Sequence, residues 1–151
     1  MSFDPLELPR IAAWRAAIGD DAVGVLDYIG QQGGATLAVA FTELFWPRFV
    51  EHRGCILLAE HFDERRFEQW WTRLDGDCGA IEGTVNHLHL WDVFDPDAED
   101  VPAQAMRHLA DVLAKTWRAA LHEQFPGREV VVDVSDTPED YGPTIVVRSV
   151  A

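Results

Sequence analysis

The residues best placed to do chemistry lie between positions 81 and 94, in the run Ile-Glu-Gly-Thr-Val-Asn-His-Leu-His-Leu-Trp-Asp-Val-Phe. At the helical turn of about 100° per residue, Glu82, Asn86 and His89 fall on one arc at spacings of four and three. Ile81, Val85, Leu88 and Trp91 fall on another. A polar stripe bordered by apolar residues describes a partly buried helix whose three polar side chains share hydrogen bonds. In the simpler reading this network only fixes helix register. In the chemical reading Glu82 is a general base or metal ligand, His89 is its partner, and His61 or His87 completes the cluster, because burial tunes such groups for acid–base work. His87 and His89 stand roughly 200° apart on a helix and share a metal only if the segment is extended.

Other catalytic signatures fail. The chain has three serines, none in a G-x-S-x-G turn, and its single lysine, Lys115, follows no glycine-rich loop. His122-Glu-Gln-Phe-Pro126 lacks the second histidine of a zinc-protease helix. A calcium loop starting at Asp75 would place Ala80 and Asn86 where glycine and glutamate are needed, and one starting at Asp95 would place Asp100 and Met106 there. No metal or cofactor is therefore expected. Cys55 and Cys78 have no metal or redox spacing, so free thiols in a reducing compartment are the simplest reading.

The elements that must position these residues follow from periodicity. Helices are expected over 9–18, from Asp20 or Asp21 to about Ile29, over 64–74 behind an Asp63 cap, and over 77–94, while 35–45 fits both a helical and an alternating period and its length favours helix. The longest begins near Asp100 and Pro102, with Met106, Leu109, Leu113, Trp117 and Ala120 as an inward stripe, and stops at Pro126-Gly127. Residues 55–58 read as a brief buried strand or a packed loop. After Gly127 the period changes to two: Val130, Val132 and Val134 alternate with polar and apolar neighbours, and 145–150 is a second β-branched run. The expected fold is α+β, a single predominantly helical domain over 1–151 with five to six helices and a C-terminal antiparallel β-hairpin packed on them.

Composition narrows the function. With 48% hydrophobic residues the chain can build a core, and no apolar run is long enough to span a membrane. The first fourteen residues carry acids where a secretion signal needs a basic start, so a cytoplasmic location is expected. A net charge of −14 repels phosphate backbones and anionic lipid, which excludes nucleic acid and membrane and favours a protein with a basic surface. Residues 60–100 hold twelve acids against three bases, a local balance of −9. Asp92, Asp95, Asp97, Glu99 and Asp100 form an uninterrupted acidic stretch, and Asp136, Glu139 and Asp140 form a second.

Six tryptophans are many for this length. Trp70 and Trp71 diverge by 100° on a helix: either both pack between two layers of helices, or one of them lies at a surface groove near the acids and makes a contact patch. The expected function is a non-catalytic acidic protein-binding module. By analogy of charge and size, it resembles small acidic proteins that neutralise or regulate a basic partner. Two alternatives stand beside it: a small enzyme or ligand-binding protein with its site around Glu82, Asn86 and His89, and a structural homodimer using the Trp70/Trp71 helix.

Overall fold

The computed structural model describes residues 3–150. The order is α1 (Pro9–Ile18), α2 (Val25–Gln32), α3 (Ala35–Phe45), β1 (Phe49–His52), β2 (Cys55–Leu58), α4 (Glu64–Arg73), α5 (Cys78–Val85), β3 (His87–His89), α6 (Leu90–Val93), α7 (Ala103–Gln124), β4 (Val130–Ser135) and β5 (Thr144–Ser149). The architecture is α+β with helices dominant, as the sequence indicates. Pro9 opens α1, and the carboxylates of Asp63 and Asp77 accept from the N–H groups of Arg66 and Ala80 to cap α4 and α5. The second helix starts later than expected, at Val25, because Asp20 caps a separate turn through Ala22 N–H. Residues 35–45 are helical, and Pro47 follows the helix end.

Two antiparallel sheets form. β1 pairs with β2, and β3, β5 and β4 lie side by side in that order. The β4–β5 pair is the expected C-terminal hairpin, in register from Val130 opposite Ser149 to Ser135 opposite Thr144. The β1–β2 hairpin was not expected as a pair. Its two-residue turn, Arg53-Gly54, has positive φ at both positions (50° and 83°), the geometry that matches strand twist.

α7 lies across the three-stranded sheet. Its stripe of Met106, Leu113, Trp117 and Leu121 packs on Val132, Ile145 and Val147, and Trp117 donates its indole N–H to Leu44 O at 2.8 Å. β2 is buried on both faces: Ile56 and Leu58 enter this core, while Cys55 and Leu57 enter a second one with Phe67 and Ile81. Among the described residues no helix is long and apolar enough to cross a membrane.

Two expectations are corrected. The helix expected over 77–94 ends at Val85, and the chain becomes strand β3 before the single turn of α6. The physical reason is pairing: His87, Leu88 and His89 meet Val146, Ile145 and Thr144, satisfying backbone groups of β5 that a helix would leave open. Cys55 and Cys78 are also not free thiols. They are bonded to each other with their Cα atoms 5.1 Å apart, joining β2 to the start of α5. The cytoplasmic location thereby loses the support that free thiols gave it. Because the bond closes a loop of 23 positions, Cys78→Ser should lower unfolding free energy by about 3 kcal/mol. Urea denaturation of the oxidised protein beside the variant checks this.

Candidate functional site

α5 enters between β2 and the end of β5 that the short β3 leaves uncovered, and presents Glu82 and Asn86 to both. Each is fully buried. Glu82 Oε1 accepts from Ile56 N–H at 2.7 Å, Oε2 accepts from Ser149 N–H at 2.5 Å, and the Ser149 hydroxyl lies 2.8 Å from both oxygens. The amide of Asn86 accepts from Leu58 N–H at 2.7 Å and donates to Ile56 O and Val147 O at 2.7 and 3.2 Å. Every oxygen of the pair already has a protein partner, so neither side chain has a free face for a substrate. The pair does structural work: it ties one sheet to the other.

His89, expected on the same stripe, is not part of this network, because the helix ends between them and the strand turns it away. Its Nδ1 lies 2.8 Å from Thr144 Oγ1, whose proton is given to Gly142 O at 3.1 Å. His87 Nδ1 donates to Thr84 O at 2.6 Å, and the two rings have centroids 5.1 Å apart. His61 donates through Nδ1 to Val85 O at 3.0 Å and lines one recess with His87. His89, for its part, faces Tyr141 at 6.3 Å.

The break after Val85 also moves Trp91. A continuous helix would place it on the apolar arc; on α6 it is 42% exposed and stands edge-on to Tyr141, itself 58% exposed, at 5.3 Å. Gly142, at φ 69°, allows this approach, since a Cβ there would lie 2.6 Å from the indole ring. Trp91 and Tyr141 thus bring the two acidic loops together. Asp95, Pro96 and Asp97 share a shallow recess of about 370 Å³ with the two rings, and Glu139 and Asp140 precede Tyr141 in the chain.

Of the surface acids in these loops, Glu99 pairs with Arg10 at 3.3 Å. Among the described residues Asp92, Asp95, Asp97, Asp100, Asp136, Glu139 and Asp140 form no ion pair with arginine or lysine. Asp95 accepts from the N–H groups of Asp97 and Ala98. Asp140 accepts from the Ser135 hydroxyl and from the N–H and hydroxyl of Thr137. The Ser135 hydrogen bond first, then those from Thr137, hold its carboxyl below its ordinary value of 3.8, and His89 adds a smaller favourable field.

The expected Trp70/Trp71 surface differs in character. Both residues are half-buried. Trp71 packs against Phe67 and Gly76 with the Arg53 guanidinium 5.2 Å from its ring centroid, and Trp70 carries Arg73 at 5.5 Å. Basic groups therefore cover this pair, while acids surround Trp91 and Tyr141. The residues of this surface that sequence reasoning missed are Trp91, Tyr141 and Gly142. Their only signal was the aromatic at 141 inside an otherwise turn-forming loop.

The chain matches no protein-family model, no curated protein and no solved structure.

Two outcomes follow from this geometry. Glu82→Leu leaves the N–H groups of Ile56 and Ser149 buried without acceptors, which should cost about 2–5 kcal/mol of stability by denaturant unfolding. Asp140 binds its proton less readily in the folded chain, so its contribution is fully present above its ordinary value of 3.8 and is lost as pH falls through the lower folded value. Acid titration should therefore show wild type and Asp140→Asn converging in loop order only below about pH 4, as read from backbone NMR shifts of 135–142.

Proposed function

We propose that the chain is a non-catalytic protein-binding module that docks a basic protein on the surface centred on Trp91 and Tyr141, neutralising or regulating it. The observation that carries this reading is the convergence of two acidic loops on one exposed aromatic pair. Carboxylates without cationic neighbours lose no internal ion pair on meeting a basic surface. Their field speeds encounter, and large rigid aromatics supply most of the affinity once contact is made.

The enzyme reading around Glu82 and Asn86 is less supported, because both side chains are buried and fully engaged. A homodimer through Trp70 and Trp71 draws no comparable support, since Arg53 and Arg73 already lie over those rings. With a net charge of −14, two copies of the chain would also repel at close approach.

The experiment is capture of partners on immobilised protein, followed by binding kinetics with the purified partner. Trp91→Ala should weaken affinity by about 2 kcal/mol, mainly through faster dissociation. Asp95→Asn with Asp97→Asn should slow association roughly tenfold at low salt and flatten its salt dependence. Association indifferent to salt and to both neutralisations would remove the basis for this proposal.

A further inference from the structure

We infer that His87 and His89 form a binding site for a late first-row divalent metal ion, of which Zn²⁺ is the representative. A helix would hold these rings on opposite flanks. Strand β3 instead places residues two apart on the same face, and the ring centroids are 5.1 Å apart. Two imidazoles bound through Nε2 at roughly 2.0–2.1 Å to one tetrahedral ion have centroids about 5 Å apart, the separation these two rings have.

The tautomers are set by the neighbours. A carbonyl oxygen only accepts, so His87 Nδ1, 2.6 Å from Thr84 O, carries its ring proton. The Thr144 hydroxyl gives its proton to Gly142 O, so it accepts from His89 Nδ1 at 2.8 Å. In the neutral form both rings therefore keep the Nε2 lone pair free. A proton on one nitrogen, held by a fixed acceptor, is the arrangement that orients an imidazole ligand and raises its basicity. The rings are half-buried on an ordered strand, so little side-chain freedom remains to be lost on binding.

The surroundings favour a cation. Asp140 acts on His89 through its charge, and the whole chain carries −14. Imidazole ligation selects zinc, copper or nickel over magnesium or calcium. Among the described residues no third His, Cys, Asp or Glu completes a three-residue set, so the remaining positions belong to water or to a small ligand of the ion. The site is thus an open one, weaker than a structural zinc centre. It adjoins the protein-docking surface, since His89 faces Tyr141, but it needs no partner.

The test is calorimetric titration of the whole chain with ZnCl₂ in a non-coordinating buffer at pH 7.5. One ion should bind per chain. His87→Gln and His89→Gln should each weaken binding at least about tenfold, and His122→Gln, an exposed residue on α7, should leave it unchanged. Imidazole NMR of the unmutated protein gives a second readout that needs no variant. Before zinc, His87 and His89 should both show the Nδ1–H tautomer, and on titration their Nε2 signals should move together to a 1:1 endpoint. Binding that survives both histidine substitutions, or that is lost instead in Asp95→Asn with Asp97→Asn, would overturn the assignment. So would imidazole signals that do not respond to millimolar zinc.

Discussion

Two side chains on α5 take the place of a strand. β2 and the end of β5 beyond β3 do not pair with one another; Glu82 and Asn86 lie between them and complete their hydrogen bonding from the side. The chemistry of each position follows from what it faces. Glu82 meets the N–H groups of Ile56 and Ser149, both donors, which a carboxylate satisfies. Asn86 meets one N–H and two carbonyls, which only a group with both an acceptor and two donors can satisfy. Exchanging the two would leave carbonyls facing a carboxylate. With the sheets joined in this way, β2 can be buried on both faces and separate two apolar clusters.

The same junction places the surface features. Because Asn86 must reach Val147 and Ile56 at once, α5 ends there, and the chain continues as β3 along β5. That extension gives the His87–His89 pair its common face and delivers Trp91 to solvent beside Tyr141. The buried network and the exposed patch are consequences of one event in the chain, the change of backbone conformation between Val85 and His87.

Much of the scaffold was legible in the sequence because its signals are local. The long stripe of α7, the cap at Asp63, Pro9 and the period-two valines of β4 all depend on near neighbours. The break after Val85 was not legible, since Ile81, Val85 and Leu88 satisfy a helical period while His87 to Leu90 satisfy an alternating one. The decision belongs to β5, sixty residues further on. The β1–β2 hairpin was missed because Arg53-Gly54 lacks the asparagine or aspartate that usually marks such a turn. Glu82 and Asn86 were readable as a buried pair from their spacing, whereas the place of His89 depended on the unseen break. The cysteine bond was equally hidden, because nothing in a separation of 23 positions shows that β2 passes beside the start of α5.

That bond has a topological consequence. Residues 55 to 78 form a covalent ring that holds the whole of α4, together with the turn before it. A single peptide cut anywhere inside the ring would leave one molecule, its two pieces joined through sulfur. New chain ends opened in the exposed turn around Glu60 would therefore not separate the hairpin from the helix that splices the sheets.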